Sequence, residues 1–515
     1  MSFESDQNPR RAQRPPIAIL GVPFDNVTKA EAIGLVEQMI ASRQPHYVVT
    51  PNVDFLAQAR RDVELRRILF EAHLVLCDGT PLVWASRLLG NALPERVAGA
   101  DLVPLLIELA AQKRYRLFLL GAAPESAQRA VSRLQAQYPS LIVAGHYSPP
   151  FNQLLEMDHD EIKRRIRAAK PDLLFVSFGC PKQEKWVAMH YRNLGVPVTA
   201  GVGATIDFLA GQVKRAPAWM QRSGSEWIFR LAQEPRRLFR RYLTDLWVFG
   251  TSILPQWWEL RACSRRKQKW HLLRHLPEDK ITKNLSICAR SSPEPWFEVR
   301  SPDRLDFTAV SESPSLLEDI LWRDKHCVLE LHSTQFIDST GVGFLIRLQK
   351  KLHAAGRELV LLSPGSAVLR ALKLMRLENF FRVASDRETA RHLLLNLDES
   401  SRSAADPDCP APALRWRGEI TAANADSVWA RTEEYLAETA SDHSRIIDLS
   451  EVRFIDSTGL GLMIRAKKLC LQHEETLLFC GLQPPVRNVL RLSHVEDFLV
   501  NHPVSHNPRV LSGRA

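Results

Sequence analysis

The chain has 515 residues, 45% of them hydrophobic and 24% charged, which is the composition of a soluble globular protein of about three domains. The polar N-terminus and the eight scattered cysteines, none in a C-x-x-C pair, argue against a secretory signal, a zinc site and a disulfide framework and for a reducing compartment. The net charge of the chain is +10. Residues 214–274 contain fourteen Lys and Arg and four Asp and Glu, so the excess of positive charge in this segment alone equals that of the whole chain.

Apolar runs alternate with helix-like segments after an N-terminal stretch, 1–16, that we expect to be disordered. The sequence predicts strands at 17–21, 46–50, 74–77, 116–121, 141–144, 172–179 and 196–201. It predicts helices at 28–41, 54–70, 81–89, 101–113, 124–137, 158–169 and 182–191, the first opened by a capping box at Thr28 and Glu31. Nearly all-apolar strands that alternate with helices indicate an α/β domain with a parallel sheet covered on both faces.

Asp78 lies where ligands of such sheets bind, beyond the carboxyl end of a strand. It comes directly after the predicted strand at 74–77 and before Gly79. A carboxylate beside an apolar wall can have a raised pKa and serve as a general base, and it can equally be the N-cap of the following helix. The spacing leaves both roles open.

Five other residues near strand ends are candidates for ligand binding. Thr50 and Asn52 could hydrogen-bond a sugar or a uracil, although their segment is also good turn chemistry. Arg96, in an apolar stretch, pairs with either a phosphate or an acidic side chain. Gly179 and Gln183, at a strand–helix junction, offer backbone N–H groups and an amide to a ligand.

Residues 212–274 form a basic segment in which aromatic side chains alternate with Lys and Arg. This mixture suits an anionic membrane surface or a phosphate pocket; a solvated face and nucleic-acid binding are the alternatives, and we find no nucleic-acid motif. The longest apolar run, 246–258, is too short to cross a bilayer, so we expect a peripheral membrane contact. Pro235 is expected to kink or restart the helix here. Three arginines are spaced to share one helical face and to neutralise a diphosphate: Arg230, Arg237 and Arg240.

An internal repeat occupies the remainder of the chain. The segment Phe336–Gly341 recurs as Phe454–Gly459, and the offset of 118 holds over more than forty positions without a gap. Two copies of one small α/β domain follow, each with a strand before the motif and a helix from Gly343 or Gly461 after it. The predicted order is a disordered N-terminus, the α/β core, the basic segment, a linker, the first repeat, a linker and the second repeat: 1–16, 17–211, 212–274, 275–295, 296–397, 398–413 and 414–506.

Seven segments of the N-terminal half together resemble the WecG/TagA/CpsF glycosyltransferases: TPNVDFLAQAR (50–60), LVLCDGTPLVWASRLLG (74–90), PERVAGADL (94–102), FLLGAAPE (118–125), FVSFGCPKQEKW (175–186), GVGATIDFLAGQVKRAPAWMQ (201–221) and EWIFRLAQEPRRLFRRYL (226–243). The resemblance implies a Rossmann-like, inverting enzyme that needs no metal or other cofactor. It also implies transfer of N-acetylmannosamine, its uronate or a related hexose from a UDP-sugar to a polyprenyl-diphosphate-linked acceptor.

The same resemblance implies roles for single residues. Asp78 corresponds to the base that deprotonates the acceptor hydroxyl, and Thr50, Asn52, Arg96 and Gln183 fall at pocket positions. The three arginines of the basic segment fall in a C-terminal appendage that closes over the diphosphate and touches the membrane: Arg230, Arg237 and Arg240. It further suggests self-association into a homo-oligomer.

The repeated D-S-T-G motif resembles that of STAS domains, as in anti-sigma-factor antagonists. In those proteins the serine, at a helix N-terminus, can be phosphorylated by a partner kinase, and the added charge changes which surface it binds. The resemblance therefore marks Ser339 and Ser457 as phosphorylation sites and the repeats as modules that bind a kinase or another regulatory protein. The alternative is that both serines only cap their helices.

These observations predict a glycosyltransferase of surface-polysaccharide synthesis with tandem STAS domains for regulation or docking. We expect it in the cytoplasm, peripheral on the inner face of the plasma membrane, with no nucleic-acid partner. An alternative is a phosphorylation-controlled switch whose transferase domain serves as a nucleotide-sugar sensor; the presence of Asp78, Asn52 and Arg96 speaks against it.

Overall fold

The computed structural model describes most of the chain: residues 14–212, 216–217, 219–220, 226–233, 235–271, 286–287, 296–311, 319–320, 323, 325–377, 380–399, 414–422, 424–437, 444–473, 475–492 and 495–500. Some side chains within these ranges, those of Arg230 and Arg237 among them, lie outside the description, as do residues 1–13 and most of both predicted linkers. The chain forms two compact units. The first contains the N-terminal domain and the first repeat domain, and the second contains the second repeat domain.

The N-terminal domain begins with an antiparallel pair, β1 (Ile17–Ile19) and β2 (Val22–Phe24), that stands apart from the main sheet. The main sheet has six parallel strands: β3 (His46–Val49), β4 (Leu74–Val75), β5 (Arg116–Gly121), β6 (Ile142–Tyr147), β7 (Leu173–Ser177) and β8 (Val198–Gly201). Their order is β4-β3-β8-β7-β5-β6. The predicted parallel α/β sheet is therefore confirmed, except that its first predicted strand belongs to the separate pair.

Nine helices of the N-terminal domain accompany the sheet: α1 (Lys29–Ser42), α2 (Val53–Ala59), α3 (Val63–Glu71), α4 (Thr80–Leu88), α5 (Gly99–Lys113), α6 (Pro124–Gln137), α7 (His159–Ala169), α8 (Lys182–His190) and α9 (Thr205–Ala210). The predicted capping box at Thr28 and Glu31 is confirmed. The single helix predicted at 54–70 was wrong. The side chain of Asp62 accepts a hydrogen bond from Leu65 N (2.9 Å) and caps a second helix there, while the apolar periodicity continues through the break.

The sheet is buried on both faces. The consecutive residues 173–176 of β7 are all 0% exposed, and consecutive strand residues point to opposite faces. Burial of both faces explains why the strands are almost wholly apolar and why alternation of polar residues is missing. Because both faces of the sheet are covered, polar side chains meet solvent at its carboxyl edge. At that edge β3 lies between β4 and β8.

In the described part of the basic segment, two helices have eight or more residues: α10 (Glu226–Gln233) and α11 (Pro235–His271). The expectation that Pro235 restarts the helix is confirmed, because it is the first residue of α11. The single helical face predicted for the three arginines was therefore wrong, since Arg230 lies on α10 and both Arg237 and Arg240 lie on α11. Among the residues that the structure describes, no helix is both long and apolar enough to span a membrane.

The first repeat domain has a five-stranded sheet in the order β15-β14-β12-β10-β9, with a further pair β11-β13. Its elements are β9 (Ser286–Ile287), β10 (Trp296–Arg300), β11 (Arg304–Leu305), α12 (Phe307–Ser311), β12 (His326–Glu330), β13 (Phe336–Ile337), α13 (Ser339–Ala354), β14 (Leu359–Leu362), α14 (Ser366–Leu374), β15 (Arg382–Ala384) and α15 (Arg387–Glu399). Only β9 among these sheet strands pairs antiparallel.

The second repeat domain has a three-stranded parallel sheet in the order β16-β17-β18. Its elements are β16 (Leu414–Ile420), α16 (Ala425–Ala437), β17 (Ser444–Ile455), α17 (Ser457–Gln472), β18 (Thr476–Cys480), α18 (Pro484–Leu492) and α19 (Glu496–Val500). In both repeats the helix begins at the serine of the motif, four residues before the predicted start. The early start places the D-S-T-G motif on the helix N-terminus itself.

The first repeat domain shares a hydrophobic core with the N-terminal domain. Ala18 on β1 and Phe70 on α3 belong to the same buried cluster as Leu345, Leu348 and Leu372 of the repeat. The ring of Phe70 lies 4.8 Å from that of Phe380. The repeat is therefore packed against the N-terminal domain through a continuous hydrophobic core.

A matched pair of leucines tests the role of the sheet. Leu119 on β5 is 0% exposed and Leu105 on α5 is 37% exposed. We expect Leu119→Ala to lower the free energy of unfolding of this domain by about 2–5 kcal/mol because it leaves a cavity, and Leu105→Ala to lower it by less than about 1 kcal/mol. Hydrogen exchange of peptides that cover 116–121 and 173–177 measures both. Equal losses would show that the sheet core is placed wrongly.

Candidate active site

Asp78 lies at the carboxyl edge of the sheet, where the chain leaves β4. Its backbone N donates to Pro51 O (3.0 Å), so the segment after β4 runs beside the segment after β3. The side chain is half-buried. Gly79, not Asp78, is the N-cap of α4, and no side chain caps that helix. The capping interpretation of Asp78 was therefore wrong, and the carboxylate is left at the sheet edge.

Thr50 and Asn52 lie on the neighbouring segment. The Thr50 hydroxyl oxygen is 3.2 Å from the position that a Cβ on Gly99 would take, so the start of α5 closes against it. Asn52 is the N-cap of α2, and its Oδ1 accepts a hydrogen bond from Phe55 N (3.2 Å). Asn52 is thus a helix cap, where the local alternative from the sequence was a turn, and its contact with a ligand stays a prediction. Thr50 and Asp78 follow adjacent strands, which places them together as predicted.

Arg96 connects the sheet edge with the basic segment. Its guanidinium donates to Asp101 (3.0 Å) and to Glu226 (3.1 Å), the first residue of α10. The adjoining Val97 N donates to Cys77 O (2.8 Å), which places Arg96 beside Asp78. Burial lowers the pKa of Arg96, but the three surrounding carboxylates outweigh it and raise that pKa. The predicted acidic partner is therefore present, and Glu226 brings the appendage to the rim of the site.

Gly179 and Gln183 lie at the carboxyl end of β7. Gly179 has a positive φ of 78°, and its carbonyl accepts from Gln183 N (2.9 Å) at the start of α8. The Gln183 side chain is only 2% exposed. Its Oε1 accepts from Gly203 N (3.1 Å) and its Nε2 donates to Glu184 Oε1. In this structure the amide fixes the loop after β8, and its predicted contact with a ligand stays a prediction.

Glu184 is a buried carboxyl group that the sequence reasoning missed. It is 2% exposed, and its Oε2 has no hydrogen-bond partner within the described part of the chain. Burial raises the pKa of Glu184 to about 7, although the amide of Gln183 acts in the opposite direction. The available signal was its position two residues into the helix that follows a buried strand, but nothing local distinguishes it from an exposed helix residue.

Of the three arginines predicted to neutralise a diphosphate, the structure describes the side chain of one. Arg240 is exposed on α11, while the side chains of Arg230 and Arg237 lie outside the described residues. A groove of about 760 Å³ runs between α10 and α11. Most of its wall is apolar, with two arginines at the edge: Ile228, Leu231, Ala232, Pro235, Arg236, Phe239 and Arg240. An apolar groove with cations at its edge has the chemistry to hold a lipid that carries a phosphate group.

The two motif serines do not cap their helices. Asp338 and Asp456 are the N-caps, and the Asp338 Oδ1 accepts from Thr340 N and Gly341 N (both 2.8 Å). Burial raises the pKa of Asp338 to about 6. Ser339 is 0% exposed and Ser457 is 8% exposed. The capping interpretation of the serines was wrong, and their phosphorylation stays a prediction.

Within the part of the chain that the structure describes, no group of three His, Cys, Asp or Glu side chains is placed to hold a metal ion. Around Asp78 the charged partner is the guanidinium of Arg96. The chemistry of this edge therefore combines the Asp78 carboxylate, hydroxyl and amide groups, and a guanidinium that two further carboxylates hold.

Comparison with known proteins identifies the family of the N-terminal half. The model of the glycosyl transferase WecG/TagA/CpsF family matches residues 17–263. Proteins from Staphylococcus aureus strains MW2, NCTC 8325 and MRSA252 are each 30% identical over 232 residues, which is 45% of this chain and 89% of theirs. The chain belongs to the WecG/TagA/CpsF glycosyltransferase family. Each of those relatives is named N-acetylglucosaminyldiphosphoundecaprenol N-acetyl-beta-D-mannosaminyltransferase.

The repeat domains of this glycosyltransferase also match a known family. The STAS domain model matches residues 291–390 and 406–507, which confirms the two copies inferred from the internal repeat. The relatives from Staphylococcus aureus align with less than half of this chain. The STAS repeats are therefore an addition to the part that the family shares with those relatives.

The buried carboxyl of Glu184 gives a pH test. Its pKa is raised from the ordinary 4.5 to about 7, so the stability that the protonated group contributes is complete below pH 4.5 and is lost as the pH rises through about 7. Glu184→Gln keeps the shape and cannot ionise. Between about pH 5 and pH 8 we expect the wild type to lose roughly 3 kcal/mol of unfolding free energy relative to the variant.

Urea unfolding of both proteins at the two pH values measures this difference. Aspartates and glutamates elsewhere titrate equally in the two proteins, so the comparison isolates Glu184. An unchanged pH dependence in Glu184→Gln would mean that Glu184 is ionised in the folded protein throughout this range.

Proposed function

We propose that this glycosyltransferase transfers N-acetylmannosamine from a UDP-sugar to N-acetylglucosamine carried on a polyprenyl diphosphate. Family membership supports a glycosyl transfer, and the names of the Staphylococcus aureus relatives support this donor sugar and this acceptor. The observation that carries the proposal is the meeting of Thr50 and Asp78 at the ends of adjacent strands, beside the guanidinium of Arg96. This site is where the fold class binds ligands.

Asp78 would act as the general base. Its carboxylate takes the proton of the acceptor hydroxyl while the hydroxyl oxygen forms a bond to C1 of the sugar. The bond from C1 to the diphosphate oxygen breaks, UDP leaves with the electron pair, and the configuration at C1 is inverted. The half-buried position leaves the carboxylate accessible to a hydroxyl from solvent.

Cations of the chain would take the part that a metal plays in many nucleotide-sugar enzymes, so no metal or other cofactor is proposed. Arg96 is held by Asp101 and Glu226, which orient its guanidinium at the site. Arg236 and Arg240 lie at the edge of the groove between α10 and α11, where the diphosphate of the acceptor lipid would meet positive charge. Thr50 and Asn52 would then bind the donor.

The acceptor lipid places the reaction at a membrane surface. The outer side of α10 and α11 carries exposed large apolar residues among its basic ones: Trp227, Ile228, Phe239, Leu243, Leu246, Trp247, Leu254 and Trp258. Trp247 and Trp258 are 72% and 68% exposed. Aromatic side chains mixed with Lys and Arg favour the interface of an anionic bilayer. We therefore propose peripheral attachment to the cytoplasmic face of the membrane.

A donor and acceptor screen tests the proposed reaction. The full chain is incubated with UDP-N-acetylmannosamine or another UDP-sugar, with and without polyprenyl-diphosphate-linked N-acetylglucosamine, and release of UDP is measured. We expect release only with both substrates present and fastest with N-acetylmannosamine. Release that is unaffected by omission of the acceptor, or no release with any UDP-sugar, would contradict the proposal.

Replacement of the base is the matching mutational test. We expect Asp78→Asn to lower kcat by about 10²–10⁴-fold, because the amide cannot accept the proton, while KM for the donor changes little. Asp160→Asn is the control, since that carboxylate on α7 has a side chain that is 93% exposed. Steady-state UDP release measures both variants. Turnover of Asp78→Asn at the wild-type rate would exclude Asp78 as the base.

A further inference from the structure

The D-S-T-G end of the first repeat domain is buried. Ser339 and Thr340, the first two residues of α13, are 0% and 1% exposed although both carry hydroxyl groups. A buried hydroxyl needs a hydrogen-bond partner, because leaving it unpaired costs free energy. Both partners lie outside the repeat domain: one on α11 and one on the loop after α4.

Gln256 on α11 is the partner of Ser339. Its Nε2 donates to the Ser339 hydroxyl (3.0 Å) and to Ala18 O (3.0 Å), and its Oε1 accepts from Leu20 N (3.0 Å). The residue is 1% exposed. One amide group thus joins three parts of the molecule: the appendage helix, the β1 strand of the transferase domain and the motif of the repeat.

Asn91 is the partner of Thr340. Its Nδ2 donates to the Thr340 hydroxyl (3.0 Å) and to the backbone carbonyls of Pro15 and Pro16, and its Oδ1 accepts from Asn26 (2.8 Å). Asn91 is 2% exposed. The two motif hydroxyls are therefore each bound by an amide side chain that also holds the N-terminal strand in place.

Close backbone approach supports the same contact. A Cβ on Gly343 would lie 2.7 Å from Pro16 O, so only glycine fits where β1 crosses α13. Two turns further on, Lys350 donates to Ala72 O. At the far side of the contact, Arg66 Nη1 donates to Arg376 O (3.0 Å). The contact thus runs along the helix and combines backbone, amide and cationic hydrogen bonds.

The second repeat provides a natural comparison. Ser457, Gly461 and Lys468 stand at the positions of Ser339, Gly343 and Lys350. A Cβ on Gly461 would meet no described atom within 4 Å, and the Thr458 hydroxyl, the counterpart of that of Thr340, is buried without a hydrogen-bond partner among the described residues. The repeat fold therefore does not itself require these contacts, and in the first repeat they serve the docking onto the transferase domain.

We propose that the D-S-T-G face of the first repeat domain is an intramolecular docking surface for the transferase domain and its α11 helix, and that a negative charge at Ser339 releases both. Ser339 is 0% exposed and its hydroxyl is bound by the neutral amide of Gln256, and the Asp338 carboxyl lies next to it in the chain. An unpaired charge in a dry site is strongly unfavourable. The docked state is the one that leaves Ser339 uncharged.

Release of the first repeat would affect the proposed membrane-binding surface, because part of that surface lies on α11. One side of this helix is buried and Gln256 on it contacts the repeat; the buried residues lie about one turn apart: Phe249, Ser252, Ile253 and Gln256. Leu246, Trp247, Leu254 and Trp258 are exposed on the same helix. The first repeat thus fixes the position from which those apolar side chains are presented. Phosphorylation of Ser339 by a kinase would need an undocked state first, because the hydroxyl is fully buried.

Hydrogen exchange of the full chain tests the docking without using any enzymatic activity, so its outcome is separate from that of the proposed function. We expect Ser339→Asp to speed exchange about tenfold or more in three segments, 17–19, 249–256 and 339–346, because their shared contact opens. The strands at 117–120 and 173–176 should stay protected. Ser457→Asp, the same change in the second repeat, should leave the three segments at the wild-type rate.

Loss of protection at 117–120 would show that Ser339→Asp fails to fold. In that case Gln256→Ala is the variant that tests the proposal. It removes the three amide hydrogen bonds without adding charge and should speed exchange in the same three segments. Wild-type exchange there in folded Ser339→Asp or in Gln256→Ala would overturn the proposal. Equal acceleration by Ser457→Asp would overturn it as well, because the effect would not depend on this contact.

Discussion

The parallel pairing of β3 with β4 on one side and β8 on the other is the constraint on which the site depends. Since the carboxyl ends of parallel strands meet at one edge, the chain segments that follow these strands lie side by side. The strands themselves are mostly apolar and buried, so most polar groups open to a ligand lie in the segments that follow them. Thr50 and Asp78 therefore become neighbours at the carboxyl edge of the sheet, although they lie 28 positions apart in the sequence.

Arg96 connects this edge of the sheet with the appendage. Its guanidinium is attracted by the charge of Asp78 and donates hydrogen bonds to Asp101 and Glu226, so the first residue of α10 is fixed by a group at the sheet edge. Gln256 has the same kind of role further along the appendage, within α11, where it fixes that helix to β1 and to the first STAS domain. The helices proposed to meet the lipid are thus fixed at two places by partly or fully buried polar contacts.

The sequence predicted the fold where one physical signal dominates and missed contacts that depend on distant partners. Apolar runs such as 116–121 and 173–177 identified the strands, because burial on both faces removes polar residues. The break at Asp62 was missed because apolar periodicity continues across it. The restart at Pro235 was predicted because proline has no N–H to donate and is compatible with the first position of a helix. Gln256 is recognisable in the sequence as a polar residue within the apolar run 246–258. Its partner Ser339 is 83 residues away, and no local pattern could pair the two residues.

Location of the donor nucleotide tests the central claim most directly. Hydrogen exchange of the full chain with and without UDP should show protection in the segments that follow β3, β4, β7 and β8, at 50–55, 76–80, 179–184 and 202–206, with the rest of the sheet unchanged. Such a footprint would place the nucleotide at the carboxyl edge beside Asp78. Protection confined to the STAS domains, or to the opposite edge of the sheet, would contradict the account.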